Sequence, residues 1–146
     1  MAETTNGRAA LAKLVEDFTA AFNREDLDEM MGYFADHAVY DEFDGTRNVG
    51  KAAIRRAFEP QFAGAFGRMR FHTEDMVLDV AAGKALIRWQ CTLEEDTRQG
   101  AWRGLDILHF EAGRLTEKHT YAKAKVPLIR TKQDLLADGT WPGAAD

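Results

Sequence analysis

The residue types best able to do chemistry in this chain are a few acids and histidines set among aromatic rings. In the stretch 101–111, alternation separates two faces: Trp102, Gly104, Asp106, Leu108 and Phe110 on one, Arg103, Leu105, Ile107 and His109 on the other. One acid therefore stands on an otherwise apolar face. In the stretch 38–43, Tyr40 and Glu42 share a face with Ala38. A phenol there can donate a hydrogen bond to a substrate oxygen, and a carboxylate can take or return a proton. The plainer reading of Glu42 is a solvated turn acid, since Asp41, Glu42 and Asp44 crowd together and such clusters favour turns. His72 opens a strand after Phe71, and His119 shares parity with Glu117 and Tyr121. A His facing an Asp across a cavity is a common acid–base pair near neutral pH. For each, a satisfied histidine on a sheet face is the simpler alternative. His109 has the parity opposite to Asp106 and His37 sits at a helix end, so both read as surface.

Several chemistries are excluded. The chain has 12 Gly, placed singly and never clustered, so there is no phosphate-cradling loop. It contains no Ser, which removes serine-nucleophile chemistry. Cys91 is the only cysteine, so there is no intrachain disulfide and no Cys-rich zinc site. It lies at the parity of Ile87, Trp89 and Leu93 and reads as a buried structural thiol. With 4 scattered His there is no first shell for a metal, and none is expected. The formal net charge of −5 argues against nucleic acid and against an anionic membrane surface. No run approaches a membrane span and no leader pattern opens the chain, so a cytoplasmic location is expected.

These side chains need a scaffold. A chain of 146 residues suits one domain, spanning 1–146, with a real core and no need of staples. Leu11, Leu14, Val15, Phe18 and Phe22 mark a helical stripe that Thr4, Thr5 or Asn6 can cap. A second helix begins at Asp26, with a capping-box spacing to Glu29, and carries Leu27, Met30, Met31 and Phe34. Residues 38–43 read as a short strand. A third helix follows Gly50 with Ile54, Ala57, Phe58 and Phe62 on one side, and Pro60 should kink or end it. From Phe71 the period changes to 2, giving strands at 71–80, 85–95, 101–111 and 115–123. Ala82-Gly83 and Ala112-Gly113 mark tight turns, and Asp96–Gly100 a longer polar one. Residues 127–146 read as a surface tail. Three helices followed by a strand meander make an α+β fold, a curved sheet wrapped around the helices.

The order of elements and two motifs resemble the nuclear-transport-factor-2-like superfamily, whose cone-shaped, cystatin-like members include ketosteroid isomerases and SnoaL-like polyketide cyclases. One motif is Phe34-Ala-Asp-His-Ala-Val-Tyr-Asp-Glu42 followed by Gly50-Lys-Ala-Ala-Ile54. The other is Gly104-Leu-Asp-Ile-Leu-His-Phe110 followed by Ala112-Gly113-Arg-Leu-Thr-Glu117. The resemblance covers roughly residues 8–125. It implies that the Asp106 face lines the cone. An Asp among Trp102, Leu108 and Phe110 would be poorly solvated, its pKa raised, and so suited to acid–base work. The matching Asp of SnoaL-like cyclases is catalytic. An Asp that binds a loop amide, or pairs with an Arg at the rim, is the alternative.

Glu42 matches the isomerases' general base, an Asp there, although a Glu reaches one methylene further. The isomerases build their oxyanion hole from a Tyr and a protonated Asp. Phe18 and Leu108 stand at those positions and donate nothing, so that route is not supported. The cyclases' partner His belongs in Trp89-Gln-Cys-Thr92, which has none. His72 or His119 would have to take the role.

The reading is therefore a small enzyme without cofactor that performs cyclisation, isomerisation or dehydration on an apolar, oxygenated small molecule. Asp106 acts with Glu42, Tyr40, His72 or His119, and Phe18, Phe58, Phe62, Trp89, Trp102, Leu108 and Phe110 shape the pocket. The alternatives are a non-catalytic binder of the same fold and a protein-interaction module. An open interior holding two polar groups within ~3 Å of a common point separates enzyme from binder.

The other sheet face mixes Leu86, Leu105 and Ile107 with Arg88, Arg103 and His109, which points to a homodimer through the sheets, as in the family. Sedimentation should give about twice the 16.4 kDa monomer mass at micromolar concentration, and a monomer there sinks the dimer.

Overall fold

A computed structural model describes residues 2–95, 99–123, 131–137, 139 and 142. Its elements run α1 (Ala2–Asn23), α2 (Leu27–Met31), β1 (Phe34–Asp41), β2 (Arg47–Val49), α3 (Lys51–Phe62), β3 (Arg68–Asp79), β4 (Lys84–Glu94), β5 (Gln99–Glu111), β6 (Arg114–Ala122) and α4 (Lys132–Ala137). The fold is α+β, with six strands in the order β2-β1-β6-β5-β4-β3. The meander β3 to β6 is antiparallel, and β1 joins it alongside β6 in parallel. The sheet is curved and unclosed. Its inner face is covered by α1, which packs on β3 and β4, and by α3, which packs on β1.

The apolar stripe of α1 is buried as its spacing predicts, with Leu11, Val15, Phe18 and Phe22 in the core. The helix already includes Thr4, Thr5 and Asn6, so these residues do not cap it from outside. Asp26 does cap α2, accepting the Glu29 amide at 3.0 Å. The reciprocal half of the box is absent: the Glu29 carboxylate pairs with Arg24 instead.

Two further expectations are corrected. The second helix stops at Met31, and Phe34 begins β1, because Gly32 caps the helix and Tyr33 turns the chain into the sheet. Phe34 is buried all the same, at 1% exposure. Pro60 does not end α3, which runs on to Phe62; a proline this close to the C-terminus disturbs only the last turn. The short edge strand β2 had no apolar alternation to announce it. Residues 96–98 of the polar turn and 127–130, 138, 140–141 and 143–146 of the tail lie outside the described residues.

The β5–β6 hairpin turns on two residues, with Glu111 opposite Arg114. Ala112 and Gly113 both have positive φ, 51° and 77°, the signature of a type I′ turn. Gly113 accepts this freely, whereas Ala112 places its Cβ against the following carbonyl at a cost of about 1 kcal/mol. Ala112→Asn should therefore raise the melting temperature by about 2–4 °C in thermal unfolding followed by circular dichroism. An unchanged or lower midpoint would show that the turn is not strained.

Candidate active site

A cavity of about 740 Å³ lies between the sheet and helices α1 and α3. Its walls are mostly rings and aliphatic chains, among them Phe18, Phe22, Phe58, Trp89, Trp102 and Leu108. The rings brace one another: Phe22 meets Phe58 and Phe71 edge-on at 5.2 and 5.4 Å, and Phe71 meets Trp89 at 5.0 Å. Phe43 and Phe66 also border the cavity yet are 52% and 50% exposed, which places them at its mouth.

The parity reading of β5 holds. Asp106 is buried, at 8% exposure, on the face of Trp102, Leu108 and Phe110. It is not isolated among hydrocarbon, as that reading expected. One carboxylate oxygen accepts Lys118 Nζ at 2.9 Å and Thr120 Oγ1 at 2.5 Å; the other accepts Trp89 Nε1 at 3.0 Å. Lys118 is buried too, at 4% exposure. Its Nζ also donates to Thr120 Oγ1 at 2.7 Å and lies 4.6 Å from the centre of the Tyr40 ring, a cation–π contact. An ammonium has three N–H donors, and Asp106 and Thr120 take two. The remaining one faces the rings or a ligand.

Tyr40, on β1, stacks on Phe58 with ring centres 4.6 Å apart. Burial pushes its pKa well above the ordinary phenol value, and the carboxylates of Asp106 and Glu42 push the same way, while a hydrogen bond with Thr120 opposes them. Tyr40 therefore stays a neutral phenol, able to donate. Glu42 borders the cavity and accepts Asn48 Nδ2 at 3.0 Å, so it is a supported side chain and not a free turn acid.

The two histidines do not reach this site. His72 is exposed on the outer face, 3.0 Å from Thr92 Oγ1. His119 is also on the outer face, with Nδ1 2.8 Å from Asp41 Oδ2 and Nε2 3.4 Å from Glu117 Oε1. A register shift explains His119. Counting back from Glu111 opposite Arg114 sets His119 across from Asp106. A bulge between His109 and Phe110 instead pairs Asp106 with Thr120. One extra residue on β6 exchanges its faces, turning Lys118 and Thr120 inward and His119 outward. Lys118 and Thr120 are the site residues missing from the sequence reading, and only the bulge could have revealed them. Two ring assignments change as well. Phe62 packs behind Phe22 and Phe58, at 5.4 and 6.2 Å, and Phe110 sits by the hairpin end, its amide bonded to Gly83 O; neither borders the cavity.

Among the described residues, no group of three or more His, Cys, Asp and Glu is placed to hold a metal. Burial pushes the Cys91 thiol up to about 12, so it is no nucleophile near neutral pH. No described helix is long and apolar enough to cross a membrane.

Residues 15–118 match the family model of the SnoaL-like domain, well over half of the chain. The chain belongs to the SnoaL-like family. No curated protein matches it. Solved structures share the family's fold. Bal32a, from a soil-derived mobile gene cassette, superposes with a TM-score of 0.69 at 18% identity, over 92% of this chain and 98% of that one. A candidate polyketide cyclase from Xanthomonas campestris pv. campestris gives 0.67 at 17% identity, over 90% and 97%. A protein of unknown function with a cystatin-like fold, from Methylobium petroleophilum PM1, gives 0.67 at 19% identity, over 90% and 91%. The expected curved α+β architecture is thus that of the SnoaL-like and cystatin-like proteins.

The outer-face network of this SnoaL-like domain has a consequence for acid stability. Burial raises the pKa of Asp41, but hydrogen bonds and charge from Arg47 and His119 outweigh it and hold the group below its ordinary value. His109, against partial burial and with help from His119, does the same to Glu117. Groups depressed in the folded state contribute stability above their unfolded pKa of about 4, and that contribution vanishes as pH falls through the folded value. The urea midpoint should fall below about pH 4, and less steeply in Asp41→Asn. An identical acid slope in that variant would remove Asp41 from the explanation.

Proposed function

We propose that the protein is a cofactor-independent enzyme that moves a proton next to a carbonyl of a ring-bearing, oxygenated small molecule, leading to isomerisation or cyclisation. The observation that carries this reading is the convergence of Asp106, Lys118 and Thr120 within hydrogen-bond distance of one another at a large aromatic cavity, with the Tyr40 ring beside them. Asp106 takes the proton from the carbon, and the C–H electron pair moves into a C=C bond as charge develops on the carbonyl oxygen. That oxygen receives the free N–H of Lys118 and the phenol of Tyr40, whose hydroxyl turns from Thr120 to the ligand. Such donors matter most where water is excluded. The proton then returns from Asp106 at another carbon, or the carbanion attacks a second carbonyl, closes a ring, and the alkoxide formed takes the proton back from Asp106. Glu42, nearer the mouth, contacts polar groups of the ligand.

The binder reading draws on one observation: Lys118, Thr120 and Trp89 already hold Asp106 in place. For the outer sheet face we keep the homodimer, since Leu105 and Ile107 there adjoin Tyr121, which is 57% exposed.

The test needs no native substrate. Exchange of the α-protons of α-tetralone and related ring-bearing ketones is followed by proton NMR in deuterium oxide. Removing one member of a buried ion pair costs about 3–5 kcal/mol, so the comparison uses Asp106→Asn combined with Lys118→Gln, which keeps the cavity neutral. Wild type should exceed the buffer rate by about 10²-fold or more, and the double variant should fall to the buffer rate while remaining folded. Ketones that bind without exchanging, or a double variant as active as wild type, would overturn the enzymatic reading.

A further inference from the structure

The two oxygens of Asp106 are not equivalent. Oδ1 already accepts Lys118 Nζ and Thr120 Oγ1, at 2.9 and 2.5 Å. A carboxylate oxygen offers about two lone-pair directions, so Oδ1 is filled. Among the described residues Oδ2 accepts only Trp89 Nε1, at 3.0 Å, and keeps one direction open. An indole N–H donates and cannot accept. Trp89 can therefore hold Oδ2 without competing for a proton.

Residue 104 is what lets Trp89 reach it. Gly104 lies directly opposite Trp89 in the β4–β5 register, two residues before Asp106. A Cβ at this position would stand 2.5 Å from Trp89 Cη2, 2.9 Å from Cζ2 and 2.5 Å from the Tyr121 carbonyl oxygen. Glycine in the middle of a strand ordinarily weakens it, and its usual meaning there is the close approach of another group. Here that group is the indole, lying across β5 with its N–H on the acid. The edge-on contact with Phe71, at 5.0 Å, holds the ring from the other side.

We infer that Trp89, seated on Gly104, is a positioning residue that makes Oδ2 of Asp106 the proton-transfer atom. This rests on the reading of Asp106 as the base. Trp89 sets the plane of the carboxylate and leaves the free lone pair of Oδ2 to the cavity that both residues border.

Trp89→Phe keeps a ring in place and deletes the donor, whereas Gly104→Ala would strike both the indole and the Tyr121 carbonyl. Two measurements decide. With the tetralone probe, exchange per bound ketone in Trp89→Phe should fall by about 10- to 100-fold while its Kd changes by less than about threefold; loss of geometry, not of affinity, is what misplacement produces. In the otherwise intact, nitrogen-15-labelled protein, the sequence-assigned Trp89 indole N–H resonance should lie downfield and move upfield in the Asp106→Asn/Lys118→Gln double variant. A purely structural tryptophan would shift that resonance with the loss of its acceptor but leave the exchange rate per bound ketone unchanged. Exchange per bound ketone within about twofold of wild type, or an indole resonance indifferent to the double variant, overturns the positioning role and leaves the base intact. Full exchange in the double variant instead overturns the base. If Trp89→Phe does not fold, Trp89→Met, which also lacks the donor, is measured in its place against the same limits.

Discussion

The ion pair between Asp106 and Lys118 is the constraint around which the inner face of the sheet is organised. Two opposite charges inside a ring-lined space lose their water, and attraction alone repays this only when the remaining donors and acceptors are also met. Here they are. Asp106 has three donors, and Lys118 has two acceptors and a ring face. The partners come from four adjoining strands: Tyr40 on β1, Lys118 and Thr120 on β6, Asp106 on β5 and Trp89 on β4. A slip of any one of these strands by a residue would strand a charge in hydrocarbon. The pair therefore acts against alternative registers, whatever its net contribution to stability.

That makes the β5–β6 bulge more than a local irregularity. Leu115 and Thr116, neighbours in sequence, are both buried, which a regular strand does not allow. The extra residue is secured by Thr116 Oγ1, which donates to His109 O at 3.1 Å. Beyond it every side chain of β6 points the other way from a simple count. The same event that brings Lys118 to Asp106 sends His119 out to Asp41, where its ring joins Arg47 and Glu117 in a separate charged network. One backbone insertion thus decides which side chains of β6 face the cavity and which face outward.

Legibility followed the same line. The α1 stripe, the strand periods, the turn at Ala112-Gly113 and the inward face of Asp106 were readable, because each depends on local periodicity or on turn geometry. Parity groups Trp89 with Ile87 and Leu93 and Trp102 with Asp106, and the family resemblance turns the Asp106 face inward. The partners of Asp106 were not readable, because they depend on a register that a single unpaired residue alters, and nothing in Arg114–Lys118 announces a bulge. Phe62 and Phe110 show a second limit. Periodicity says that a ring is buried, but whether it borders an empty volume or only other rings depends on the packing of α3 and on the hairpin end.

Lys118 and Tyr40 also bear on how one fold supports different chemistries. At the two positions that the resemblance matches to the isomerases' oxyanion donors, Phe18 and Leu108 line the cavity and offer no proton. In the proposed reaction the donors come instead from β6 and β1, on the other side of Asp106. A buried ammonium supplies full charge where a phenol and a neutral acid supply dipoles, so fewer donors are required. The cost is that the ammonium must be balanced when no ligand is present, and Asp106 does that. The base and the electrophile thus neutralise each other at rest. In the proposed turnover the ligand oxygen draws on Lys118 as Asp106 receives a proton, so that the charge lost on one partner reappears on the ligand beside the other.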